Sequence, residues 1–114
     1  MAQFALMLNG DPKNWGATAE EQKQIMQNFG LWVRGLMNEK QYMDCTRLEP
    51  KMARVSATQT DGPFTETKEL FSGIFRIEVA SFEQAVNIAK TCPMLARGEQ
   101  ILVMPIDDGE RKAP

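Results

Sequence analysis

Apolar positions along the chain follow two rhythms. Phe4, Leu6 and Leu8 alternate with Ala5 and Met7, which predicts a strand buried on both sides and ended by Asn9-Gly10-Asp11-Pro12. From residue 18 the spacing lengthens. Ile25, Phe29, Trp32, Val33 and Leu36 recur every three or four residues, and Thr18-Ala19-Glu20-Glu21 has the form of a capping box, so an amphipathic helix is expected over 18–39. Gly30 and Gly35 each weaken such a helix by about 1 kcal/mol relative to alanine, and close packing on a sheet is the expected reason for them.

Beyond the helix the alternation returns. Residues 42–48 and 53–58 read as two shorter, more polar strands around Glu49-Pro50-Lys51, and Asp61-Gly62-Pro63 reads as a turn. The strongest strand pattern spans 72–79, with Gly73, Phe75, Ile77 and Val79 on one face and Ile74, Arg76 and Glu78 on the other. Ser81-Phe82-Glu83-Gln84 is a second capping box. It opens a helix with a core stripe of Phe82, Ala85, Val86 and Ala89, which must close before Pro93. Gly98 leads to a last strand over 100–106, apolar on both faces, giving one domain over 1–107 and a polar tail over 108–114.

This order implies an α+β fold, a ferredoxin-like split β-α-β sandwich with an extra strand inserted in the central connection. Two helices cover one face of such a sheet. Met7, Ile74, Leu102, Met104 and Ile106 would lie on the other, and a patch of that size on a soluble monomer is uncommon, so a second copy is expected to cover it in a homodimer. The eight methionines, Met7, Met43 and Met104 among them, are expected to fill the core, with an adaptable apolar pocket as the sharper alternative.

The 114 residues suffice for one hydrophobic core, with 43% hydrophobic and 25% charged residues, and so exclude a disordered chain. A net charge of -2 lacks the basic excess that nucleic acid or an anionic membrane surface requires. The first apolar stretch is too short to span a bilayer or direct export, so a cytoplasmic protein is expected. Histidine is absent, which removes the commonest general base and zinc ligand. Cys45 and Cys92 form no C-x-x-C, and no G-x-G-x-x-G follows a strand, so neither a metal nor a redox cofactor is expected. Cys92 lies at the negative end of a helix, a place that disfavours a thiolate nucleophile.

The run Asp61-Gly62-Pro63-Phe64-Thr65-Glu66-Thr67-Lys68-Glu69, with Gly73, Cys92-Pro93 and Pro105-Ile106, resembles the YCII-related, DGPF-domain family. Leu48-Glu49-Pro50 and the opening strand, Asn9-Gly10-Asp11 and helix extend that resemblance over nearly the whole chain. It implies a bacterial protein with a ferredoxin-like domain that dimerises through its sheets, as a dimeric α+β barrel, and often has no assigned activity. Two departures limit the transfer of function. Better-known members carry a His-Asp pair proposed as catalytic, whereas this chain has no histidine. Many members also end on an acidic-x-Arg-Pro pattern, where this chain has Leu102 and Met104 before Pro105.

The motif has a structural and a functional reading. Asp61 can accept backbone N–H groups of the turn it begins, and Phe64 can anchor that turn in apolar surroundings. The same segment could present Glu66 and Lys68 at the mouth of a small-molecule pocket, where carboxylate and ammonium would suffice for acid–base chemistry without histidine. Asp61, Glu66 and Lys68 are therefore the catalytic candidates, while a solvated charge run is the bland alternative. Arg76 could bind an anion or form an ion pair at a dimer interface, and Trp15 could stack over a ligand or pack on a sheet edge. Arg47 is expected to face solvent. Two functions remain in competition: a cofactor-free isomerase or lyase, and a non-catalytic binding or accessory protein, for which family resemblance suggests partners in regulatory systems such as alternative sigma factors.

Overall fold

The structure is a computed structural model. It describes residues 1–14, 18–58, 60–61 and 70–109. Trp15, Phe64, Glu66 and Lys68 lie outside the described residues, as does the turn expected at Gly62-Pro63.

The main sheet contains β1 (Ala2–Gly10), β2 (Tyr42–Arg47), β5 (Leu70–Val79) and β6 (Gln100–Pro105), in the order β2-β5-β1-β6. Every neighbouring pair is antiparallel. Helix α1 (Ala19–Asn38) connects β1 to β2 and helix α2 (Phe82–Ala89) connects β5 to β6, which gives the split β-α-β plan. The inserted strand does not join this sheet. Residues of β3 (Arg54–Val55) pair instead with β4 (Thr60–Asp61) in a separate two-stranded ribbon, so β5 stays next to β2.

Both helices begin where a hydroxyl can satisfy the orphan backbone donors of their first turn. Thr18 Oγ1 accepts from the Glu21 N–H at 3.0 Å, and Ser81 Oγ accepts from the Gln84 N–H at 3.1 Å. Gln84 reaches back to the Ala80 N–H at 2.9 Å, one residue before the position a strict capping box would use. At the other end of α1, Lys40 adopts a left-handed φ of 58°. The N–H of Gln41 then bonds to Leu36 O at 2.9 Å, closing the helix as glycine more often does.

The period-two pattern decides which sheet face is buried. Phe4, Leu6 and Leu8 of β1 sit beside Phe75, Ile77 and Val79 of β5, with Leu6 directly opposite Phe75. Leu6, Phe75, Ile77 and Val79 are fully buried, and each such side chain contributes about 1.5–3 kcal/mol through removal from water. Phe75 meets Trp32 edge-on at 5.2 Å and Phe29 at 6.2 Å, which seats α1 on the centre of the sheet. Trp32 also donates from Nε1 to Thr91 Oγ1 at 2.7 Å, tying α1 to the chain beyond α2. A 3-10 turn over Pro93–Arg97 packs against α1 and ends at Gly98, whose φ of 88° favours glycine. Sequence periodicity did not reveal this turn.

Three expectations about packing are corrected. A Cβ built on Gly30 or Gly35 meets nothing within 4 Å, so neither glycine is required by contact with the sheet. Met43 and Met104 are exposed and Met7 is half-buried, because they lie away from the helix-covered core; Met94 is the methionine that joins it. Phe82, the first residue of α2, is 49% exposed, and its ring meets that of Phe4 at 6.1 Å between centroids.

Candidate functional site

The apolar layer opens at one corner. There the bases of α1 and the sheet diverge and leave a cleft of about 440 Å³. Helix α1 supplies one wall through Gln22, Lys23, Met26 and Phe29, which share a face because they are spaced by three and four residues. Leu8 from β1 and Gly73 from β5 form the base, Cys45, Arg47 and Leu48 the edge, and Met94 and Arg97 the side nearest the 3-10 turn. Arg47 and Leu48 also border a second hollow of about 370 Å³ that continues toward Glu49, Lys51 and Phe71.

Ser72 reaches this cleft through a bulge. Leu8 pairs with Gly73 but Asn9 pairs with Phe71, so Ser72 has no opposite residue on β1. Strict alternation from Phe75 and Gly73 would send Ser72 to the far face of the sheet, whereas the extra residue turns it onto the cleft wall. Behind it lies Glu99, whose side chain is fully buried. Ser72 Oγ donates a short hydrogen bond to Glu99 Oε1, and Arg97 holds Glu99 Oε2 from Nε and from a terminal nitrogen, each at 2.6 Å. A buried carboxylate is tolerated only when so satisfied. Gly10 completes the fit, because a Cβ there would stand 2.7 Å from Glu99 Cγ.

Charge is distributed unevenly around the opening. Lys23, Arg47 and Arg97 line it, and among the described lining residues there is no carboxylate. Arg97 is neutralised by Glu99, which leaves Lys23 and Arg47 as exposed cations. Burial raises the Cys45 thiol above its ordinary range despite the nearby Arg47 charge, so this thiol is not activated. Burial pushes the Cys92 thiol up to about 11, in keeping with a core side chain. Among the described residues no group of three cysteines or acids could hold a metal ion.

Of the residues singled out from sequence, Arg47 lines the cleft, Arg76 does not, and the others lie on positions or side chains outside the described residues. Asp61 has its backbone in β4, while Trp15, Phe64, Glu66 and Lys68 are outside the described residues. Arg76 lies on the sheet face away from the helices, where it binds Asp44 across β2 and β5 through Nε at 2.9 and 3.1 Å and through a terminal nitrogen. The Arg76 hydrogen bonds and charge hold the Asp44 carboxyl below the usual carboxylate range. Arg76 is not among the residues lining the cleft. Arg47 faces solvent at the sheet edge, as expected. Sequence reasoning missed Ser72, Arg97 and Glu99. The available signal was the phase break between Leu70 and Gly73, both buried, which marks the bulge.

No helix among the described residues is long and apolar enough to cross a membrane. In comparisons with known proteins, an uncharacterized protein of Rhizobium meliloti (strain 1021) is 30% identical over 97 residues, covering 79% of this chain and 78% of the relative. The model of the YCII-related domain matches residues 2–107, the span that contains the sheet, both helices and the cleft. The chain therefore belongs to the YCII-related family.

Proposed function

We propose that this protein binds a small organic molecule in the cleft between α1 and the open corner of the sheet, and that it does so as a homodimer. The observation that carries the reading is the cleft itself, about 440 Å³ in volume, with apolar surface from Leu8, Phe29 and Met94 and a few polar groups, Lys23, Arg47, Ser72 and Arg97, around it. That combination of an apolar body and few convergent polar groups is typical of small-molecule sites. The segment 62–69 runs directly into β5, whose Ser72 and Gly73 line the cleft, and this connectivity supports roles for Asp61, Phe64, Glu66 and Lys68 near its mouth.

The homodimer reading rests on the uncovered sheet face. Leu102 is 43% and Met104 54% exposed there, beside Met7 and Ile74, and leaving such apolar area in water forgoes about 25 cal/mol per Å². The partner proposed is a second copy, because the charges on this face, Arg76 and Asp44, already satisfy each other within the chain, so an isologous contact between two apolar patches leaves no unpaired charge. Light scattering should give twice the 12.9 kDa chain mass; a monomer at micromolar concentration contradicts this arrangement.

Thermal-shift screening against a metabolite library tests the binding reading. Hits should lose their effect in Met26→Trp, which narrows the cleft at an exposed wall. Hits unaffected by that change, or no hits, contradict the proposed site. Turnover of a bound compound would instead favour the cofactor-free isomerase or lyase reading, with Asp61, Glu66 and Lys68 as its acid–base candidates.

A further inference from the structure

We infer that the cleft selects an organic anion, a molecule with an apolar body and a carboxylate or phosphate group held by Arg47 and Lys23. The inference rests on the small-molecule reading and deepens it. Its basis is the balance of charge and polarity at one opening. The apolar surface of Leu8 lies at the base and that of Phe29 on the α1 wall, while the exposed Lys23 on α1 and Arg47 on the edge strand stand at the opening. Neither cation has an ion-pair partner among the described residues. Glu20 and Glu21, the nearest acids on α1, do not line the cleft.

The third cation is already committed. Glu99, buried behind the wall, takes Arg97 in an ion pair and Ser72 in a hydrogen bond. This leaves that wall electrically balanced and the rim positive, so attraction is directed to the rim and apolar contact to the base. Guanidinium and ammonium groups bind carboxylate and phosphate oxygens through charge-assisted hydrogen bonds, whereas a ligand ammonium would be repelled. A neutral molecule of the same shape would keep only the apolar contact.

Four compounds built on a six-carbon chain separate these cases: hexanoate, hexyl phosphate, hexanol and hexylamine, titrated calorimetrically into the full chain. Hexanoate and hexyl phosphate should bind about tenfold or more tightly than hexanol, with affinity falling as salt rises, and hexylamine should bind most weakly. Arg47→Gln and Lys23→Gln should weaken both anions severalfold while leaving hexanol unchanged, and Lys90→Gln, outside the cleft, should change nothing. Equal binding of hexanol and hexanoate, preference for hexylamine, or full hexanoate affinity in the double variant would overturn the anion assignment and leave the small-molecule reading intact. Failure of all four to bind would overturn both.

Discussion

Glu99→Ala removes the buried carboxylate, just before β6, that binds Ser72 and Arg97, and its cost can be worked from the contacts. Glu99 has no side-chain exposure, whereas the Arg97 side chain keeps 17%. Deleting one partner of a buried pair costs about 3–5 kcal/mol, because the remaining charge stays desolvated. Arg97 can recover part of its hydration through its exposed fraction, which places the expected loss near the lower bound, about 3 kcal/mol. For a domain of this size that loss lowers the melting temperature by about 10–12 °C. Glu99→Gln should fall between the wild type and Glu99→Ala, since it keeps a hydrogen-bond acceptor for Ser72 but loses the charge attraction. Removing both charges together, Glu99→Leu with Arg97→Met, should restore much of the stability, because no desolvated ion remains. Thermal denaturation by circular dichroism reads all three. A Glu99→Ala melt within about 2 °C of wild type would show that the pair is solvated, and the description of this corner as a satisfied buried cluster would be wrong.

Other outcomes follow from single contacts. Gly30→Ala and Gly35→Ala should each raise stability by about 1 kcal/mol in urea denaturation, since both positions are open and helical. Gly10→Ala should lower it by about 1–3 kcal/mol, because the new methyl group must displace the pinned Glu99 side chain. The Asp44 carboxyl should titrate by NMR below the usual range and return to it in Arg76→Gln; as a depressed group, it stabilises the fold above its unfolded value and loses that contribution as pH falls through the folded one. Cys92 works in the opposite sense: its raised value of about 11 means stability declines as pH rises above the ordinary thiol range toward that value, and Cys92→Ala should flatten this alkaline limb.

The parts of the fold legible in sequence were those governed by local period and local caps. Ile25, Phe29, Trp32 and Leu36 fixed the inner face of α1, and Thr18 and Ser81 fixed the helix starts, because a hydroxyl at an N-cap acts within three residues. The alternation of Phe75, Ile77 and Val79 identified the buried face of the central strand. What escaped depends on distant contacts. Nothing near Glu99 in sequence says that it will be buried, since its partner Ser72 is 27 residues away and reaches it only through a bulge. The methionines misled because hydrophobicity alone does not distinguish a core side chain from one on an uncovered sheet face, as Met94 and Met104 show. Gly30 and Gly35 misled for a related reason: small size permits close packing but does not require it.

The central claim is that the corner cleft is the binding site, and amide chemical-shift mapping of isotope-labelled full chain during titration with hexanoate addresses it most directly. The expected result is a saturable set of shifts centred on Phe29, Cys45, Arg47, Ser72 and Gly73, with little change at Ala5, Leu102 and Met104 on the opposite side of the sheet. Shifts centred on that opposite face, or none at saturating hexanoate, would contradict the claim.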